Sequence, residues 1–268
     1  MITAKDNDTV KRVTKLSKSA AFRKKCGQFL AEGVRLCKDG VVSGAAPEVF
    51  VYTAESKNKY SEEFELIAQA SSRICEVSAD IFAKMSDTKS PQGFLCVFNM
   101  LDKQKNIGRI NNRGIYLACE RLQDPSNLGT ILRTAEALGV DGVILSDDCC
   151  DVYSPKVVRG SMGAVFRLMI NIPDNFVEYI KELTQSGIIT FASTPRDALD
   201  VTEVDVTSGV MLIGNEGSGL STEAINACKY RVMIPMKGRA ESLNASAAAS
   251  ILLWEMAGGH APAGSSRS

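Results

Sequence analysis

Apolar positions along this chain fall into two alternating series separated by one polar gap. In the first series, short runs with strand character, QFLAEG (28–33), EVFVYT (48–53), RICEV (73–77) and GFLCVFN (93–99), alternate with stretches of helical apolar period around 8–19, 33–42, 61–71 and 78–86. That alternation predicts a small α/β domain. The stretch DKQKNIGRINNRG (102–114) then loses all apolar periodicity, as a connection between domains does. The expected division is a first domain over 1–105, a linker over 106–113 and a second domain over 114–268.

The second series is more apolar. IYLACE (115–120), GVILSD (142–147), FRLMIN (166–171), IITFAS (188–193), GVMLIG (209–214) and YRVMIP (230–235) read as strands, with helices near 127–138, 155–163, 174–186, 221–228 and 244–257. Nearly continuous apolar strands between helices predict a parallel sheet covered on both faces, with ligands at the carboxyl ends of its strands.

Composition narrows the chemistry. The chain has 268 residues, 45% hydrophobic and 23% charged, as in ordinary globular proteins. The opening MITAKDNDTVKRV lacks an apolar segment of the secretory kind, and no run approaches the roughly 18 apolar residues of a membrane span. A cytoplasmic protein without a membrane segment is expected. The eight cysteines contain no C-x-x-C pair, so reduced and mostly buried thiols are expected. The single histidine, His260, lies in a Gly/Pro/Ser tail. This excludes Ser-His-Asp hydrolysis and His-ligated zinc, and no metal is expected.

The net charge of zero conceals an asymmetry. Residues 1–112 carry 18 Lys+Arg against 13 Asp+Glu, and residues 113–268 carry 13 against 18. Ten basic and three acidic residues fall within 1–38. That excess fits either a solvated helix or a phosphate-contacting face.

Three loops of the second series are rich in Gly, Asn, Ser and Pro. RLQDPSNLGTILRTAEALGV (121–140) places Asn127 to cap a helix whose apolar stripe is Leu128, Ile131, Leu132, Ala135 and Leu138. Arg133 borders that stripe, and spacing alone makes it a solvated arginine. MLIGNEGSGLS (211–221) has Gly214, Gly217 and Gly219 in the order G-x-x-G-x-G. That order is neither the dinucleotide fingerprint nor a phosphate loop, which argues against a nucleotide-dependent oxidoreductase. The loop holds Asn215 and Glu216 at the mouth of the sheet. In MKGRAESLNASAAAS (236–250), Ser242 or Asn244 could cap a helix whose first turns are alanine and serine. Such small residues let a ligand or another backbone come close.

In this order, DPSNLGTILRTAEALGV, LIGNEGSGLS and IPMKGRAESLNASAAASILLWE, with PKVVRGSMGAVFRL between the first two, the chain resembles the SpoU (TrmH) family of RNA ribose 2′-O-methyltransferases in the SPOUT superfamily. The resemblance covers 113–258. QFLAEGVRL (28–36) is similar to the family's small substrate-binding domain. Ser126 stands where glycine is frequent, and Ala245 and Ala247 replace commoner β-branched residues; no functional side chain is lost.

The resemblance implies an α/β protein with a C-terminal, trefoil-knotted parallel-sheet domain preceded by a small α/β RNA-binding domain. It implies S-adenosylmethionine as cofactor, held around Thr194, Gly214, Asn215, Gly217, Ile234 and Leu243, and a homodimer formed through the C-terminal domain. Asn127, Arg133, Glu216, Ser242 and Asn244 are the implied catalytic set, with Glu216 and Asn127 orienting Arg133. Arg23, Lys24, Lys25 and Arg35 are the expected phosphate contacts, positioned by Glu32. The expected substrate is RNA, ribosomal (23S) in preference to transfer RNA. A catalytically silent RNA-binding or ribosome-assembly protein of the same fold is the alternative.

Overall fold

The computed structural model describes residues 1–4, 6–101 and 110–259. Part of the expected linker, 106–109, and the tail from His260 lie outside the described residues. The chain forms two compact units: Met1–Leu101 with Asp151–Arg167, and Asp102–Cys150 with Leu168–Ser268.

The first unit is built on a four-stranded sheet. Its strands are β1 (Gln28–Glu32), β2 (Val49–Tyr52), β3 (Ile74–Glu76) and β4 (Phe94–Asn99), in the order β1-β4-β2-β3. β4 runs antiparallel to both neighbours, and β2 pairs with β3 in parallel. The helices read from periodicity are present as α1 (Asp8–Lys18), α3 (Val34–Val42), α5 (Ser61–Ala70) and α6 (Ala79–Met85). Two more, α2 (Ala20–Cys26) and α4 (Ala54–Lys59), of seven and six residues, fall outside the main stretches read from periodicity. Ser19 separates α1 from α2: its N–H bonds the Lys15 carbonyl, and its hydroxyl accepts from the Phe22 N–H at 3.2 Å.

Asp151–Arg167, with the helix Pro155–Gly160 (α8 in chain order), packs in this first unit although its sequence neighbours belong to the second. The cause is aromatic. Tyr153 and Phe166 meet Phe29 with ring centroids 4.7 and 5.7 Å apart, and Phe166 stands edge-on to Phe98 at 5.0 Å. Burying these rings outweighs the pull of chain proximity.

The second unit is a seven-stranded sheet, parallel throughout. Its strands are β5 (Ile115–Cys119), β6 (Gly142–Leu145), β7 (Met169–Asn171), β8 (Thr190–Ser193), β9 (Leu199–Asp200), β10 (Gly209–Ile213) and β11 (Tyr230–Met233). The order is β7-β6-β5-β10-β8-β11-β9, so β10 lies between β5 and β8, and β11 between β8 and β9. Adding strands at an edge in sequence order cannot produce this arrangement. Every residue of β5, β6 and β10 is buried, as a sheet covered on both faces requires. The helices are α7 (Pro125–Ala137), α9 (Phe176–Gln185), α10 (Thr222–Ala227) and α11 (Ala245–Met256). Among the described residues no helix is long and apolar enough to cross a membrane.

All eight cysteines are free, and Cys37, Cys75, Cys96 and Cys119 are buried. Burial pushes the Cys119 thiol well above its usual range and the Cys228 thiol up to about 12. Neither is a thiolate at neutral pH.

Candidate active site

The carboxyl ends of β8, β10 and β11 open into a cleft of about 720 Å³. Thr194, Gly214, Asn215, Gly217, Ile234 and Leu243, the positions expected to hold a cofactor, all line it, together with Glu216 and Ser242.

Its floor is the loop after β10. The Asn215 and Gly219 main chains bond each other in both directions, at 3.1 and 3.0 Å. The Asn215 Oδ1 accepts from the N–H groups of Gly217 and Ser218 at 2.9 and 3.0 Å. A Cβ at Gly214 would overlap the Gly219 and Leu220 backbone, and Gly219 has φ +68°. Glycine is therefore required at both positions. Asn215 shapes the loop with its own side chain, and its Nδ2 ties the loop to the Arg121 carbonyl at 2.8 Å.

Glu216 joins the loops. Its carboxylate accepts from the backbone N–H groups of Gln123 and Asp124, both at 3.2 Å, and from Asn127 Nδ2 at 3.1 Å. Asn127 Oδ1 in turn accepts from Asn244 Nδ2 at 3.1 Å. One line of hydrogen bonds thus runs through all three polar loops singled out in the sequence. Burial raises the Glu216 pKa, but the bonds from Asn127 and from the Gln123 and Asp124 backbone outweigh it, and the carboxyl sits below its ordinary range.

Asn127 does not cap its helix. Asp124 is the N-cap, accepting from the Ser126 N–H at 2.8 Å, and Pro125 takes the first helical position. That leaves the Asn127 side chain, 7% exposed, free to bridge Glu216 and Asn244. Asn244 does cap α11, accepting from the Ser246 N–H at 2.9 Å, while its Nδ2 reaches Asn127. The small residues of α11 serve two surfaces. Ala245 and Ala248 line the cleft, and Ser250 meets Thr134 of α7 at 3.4 Å.

Arg133 is elsewhere. It is exposed, does not line the cleft, and makes no hydrogen bond or ion pair among the described residues. Six residues along a helix turn a side chain by about 240° from Asn127. Glu216 and Asn127 bond each other instead of orienting Arg133.

Sequence reasoning passed over Glu120. It is buried at the end of β5 and accepts from the Ser221 N–H at 2.7 Å and hydroxyl at 2.6 Å. This fixes the residue that caps α10. The signal available was a carboxylate closing an otherwise apolar strand. Gln123 and Asp124 act on Glu216 through main-chain groups that no side-chain pattern reports.

Of the expected RNA contacts, Lys24, Lys25 and Arg35 are exposed. Arg23 is not available for phosphate. It is 4% exposed, its Nη2 pairs with Asp151 at 2.6 Å, and it donates to the Leu16 and Ser17 carbonyls. Glu32 also differs from its expected role: its carboxylate accepts from the Ser86 and Thr88 hydroxyls and the Asp87 N–H, holding that loop rather than arginines.

The lowered pKa of Glu216 has a testable sign. A carboxyl depressed in the folded state contributes stability above its unfolded pKa, and loses it as pH falls through the lower folded value. Cofactor binding by the wild type should therefore persist below the ordinary carboxylate range. Glu216→Gln, which sets an amide against the Asn127 and backbone donors, should weaken binding at every pH and remove the acid step. Calorimetric titration across pH checks this, and an unchanged acid limb in the variant would contradict it.

A ligand of nucleoside size fits the cleft, whose volume lies within the range of small-molecule sites. Its walls combine the apolar Ile213, Leu220 and Ile234 with the main chain of a glycine loop. Among the described residues no group of three or more His, Cys, Asp or Glu side chains could hold a metal ion.

Comparison with known proteins agrees with this geometry. Residues 114–254 match the model of the SpoU rRNA Methylase family, and residues 7–96 that of an MRM3-like substrate binding domain. An uncharacterised tRNA/rRNA methyltransferase of Synechocystis is 32% identical over 95% of this chain and 92% of its own length. A 23S rRNA (uridine-2′-O)-methyltransferase of Streptomyces viridochromogenes is 31% identical over 87% of this chain and 83% of its own. The crystal structure of an AdoMet-bound rRNA methyltransferase from Sinorhizobium meliloti superposes with a TM-score of 0.84 at 28% identity, covering 98% of each chain. With the family's model spanning more than half its length, this chain belongs to the SpoU rRNA methylase family.

Proposed function

We propose that this protein is an S-adenosylmethionine-dependent RNA 2′-O-methyltransferase acting on ribosomal RNA, specifically that of the large subunit. The observation that carries the reading is the line Gln123/Asp124–Glu216–Asn127–Asn244, which ties three separate loops beside a nucleoside-sized cleft. The Streptomyces relative is by name a 23S rRNA 2′-O-methyltransferase, and the Sinorhizobium structure is AdoMet-bound.

Thr194, Gly214, Asn215, Gly217, Ile234 and Leu243 would hold the cofactor. When bound, it supplies an electrophilic sulfonium methyl group, so the chain's task is to align a ribose hydroxyl and help its proton leave. Ser242 offers a polar group at the cleft, and Asn244, through Asn127 and Glu216, keeps that wall rigid. Arg133 serves by hydrogen bonding and charge, with the neighbouring RNA phosphate as proton acceptor. Lys24, Lys25 and Arg35 supply phosphate contacts, so RNA binding should weaken steeply with salt.

The reading includes a homodimer through the C-terminal domain. Leu243, Ile251 and Trp254 are exposed around α11, Trp254 by 51%, an apolar surface that a second copy would cover. Trp254→Glu should shift the species measured by light scattering from dimer to monomer. A wild type that runs as a monomer at micromolar concentration would end that part of the proposal.

The test of function is methyl transfer from labelled cofactor to total RNA from cells lacking this protein. Ribosomal and transfer RNA are separated afterwards and ribose methylation is mapped. Label confined to large-subunit RNA supports the reading. Label in transfer RNA, which the name of the Synechocystis relative also admits, would move the substrate. RNA binding without label would leave a silent RNA-binding protein.

A further inference from the structure

The first unit contains a cleft of about 260 Å³ walled by residues from distant parts of the chain: Glu32, Arg35, Leu36 and Asp39 on one side of the sequence, Gln92, then Arg159 and Met162. Two carboxylates and two guanidiniums balance, which disfavours a bare phosphate as occupant and suits a neutral group with polar edges. The Glu32 carboxylate is already taken up by Ser86, Asp87 and Thr88, and Arg159 is anchored to Asp87 at 2.8 Å.

Two groups are held ready for a ligand. Gln92 Oε1 accepts from the Val34 N–H at 3.0 Å, which fixes the amide and leaves its Nε2 donors unclaimed among the described residues. Arg35 is exposed and makes no hydrogen bond or ion pair among the described residues. The lip is unusual. Met162 is 40% exposed and holds φ +51°, a left-handed conformation costly for a long side chain. Gly163 follows at φ +87°, where a Cβ would meet Asp39 Oδ2 at 2.6 Å. A strained turn therefore presents a methionine to solvent beside a fixed amide and an unpaired guanidinium.

We propose that this cleft binds one unstacked nucleobase of the substrate RNA, a step that rests on reading the protein as an RNA methyltransferase. Met162 and Leu36 supply apolar surface for the base face, with the polarisable thioether suited to an aromatic ring. Gln92 Nε2 donates to an acceptor on the base edge. Arg35 engages the ring or its attached phosphate. With aromatic residues at only 6% of the chain, methionine and arginine take the stacking role that aromatics fill elsewhere. The segment that carries Arg159 and Met162 is thus part of the RNA-recognising unit, although the family's methylase match runs through it.

The experiment uses the full chain with ¹³C-methyl methionine, the Met162 signal being identified by its loss in Met162→Gly. Glycine accepts φ +51°, so that variant should melt no lower than the wild type. Single-stranded hexaribonucleotides of each base are titrated in turn. The expected result is a saturable upfield ring-current shift of the Met162 methyl for at least one of them, weakened in Arg35→Ala. In the methyl-transfer assay, Met162→Gly should raise the KM for RNA about tenfold while kcat at saturating RNA and cofactor affinity hold. A Met162 methyl unmoved by all four oligonucleotides, in a protein that methylates RNA with unchanged KM in the variant, overturns the pocket and leaves the function standing. A shifted methyl in a protein that transfers no label supports the pocket and removes the function.

Discussion

Replacing Arg133 by alanine is expected to lower methyl transfer by about 10²–10³-fold at saturating RNA, the usual loss when a group stabilising developing charge is removed. The structure makes this substitution clean. Arg133 is exposed and makes no hydrogen bond or ion pair among the described residues, so its removal leaves no buried donor or acceptor unsatisfied. Thermal stability and cofactor affinity should stay at wild-type values, because the side chain does not line the cleft. Lysine at the position keeps the charge but loses the planar fork of donors, and should recover only part of the rate. Single-turnover kinetics with separated RNA classes is the measurement. Near-normal turnover in Arg133→Ala would remove the arginine from the reaction and shift attention to Ser242 and Asn244. An equal loss of cofactor binding would mean instead that the side chain organises the cleft from outside it.

Arg23→Ala is expected to destabilise the first unit by about 3–5 kcal/mol, since it strands a partly buried Asp151 and two carbonyls. Asp151 is 23% exposed on its side chain, which favours the lower end of that range. A surface arginine that touched only RNA phosphate would cost within about 0.5 kcal/mol of stability. Denaturant melts of the full chain therefore separate a structural arginine from an RNA contact. The pair variant Arg23→Met with Asp151→Leu should recover only part of the loss: it removes the stranded charge, but the Leu16 and Ser17 carbonyls and the Tyr153 N–H, which bonds Asp151 at 2.9 Å, lose their partners. A single variant as stable as the wild type, but with a weaker salt dependence of RNA binding, would restore Arg23 to the phosphate-contacting set.

The Arg23 result shows where local pattern stops being informative. Arg23, Lys24 and Lys25 are consecutive and equally basic in the sequence, yet the helix turns one of them inward to Asp151, 128 residues away. Charge counting sees the excess and cannot tell which member of the run is spent on folding. Asn127 repeats the lesson at shorter range. Asp124 and Asn127 both suit an N-cap, and the choice between them fell to Pro125 and to a carboxylate from a distant loop.

What the sequence determined by itself was local and periodic. The strand and helix series, the parallel character of the apolar sheet, the glycine loop and the small-residue wall all rest on side-chain type at fixed spacing, which acts within a few residues. The three polar loops were legible for the same reason. Tertiary structure alone decided the insertion of β10 and β11 between earlier strands, the transfer of Asp151–Arg167 to the first unit, and the Glu216–Asn127–Asn244 line. Each depends on which groups bury together across long stretches of chain. That competition is settled by the packing of Phe29 with Tyr153 and Phe166, and by the backbone and amide donors that converge on the Glu216 carboxylate, neither of which leaves a period in the sequence.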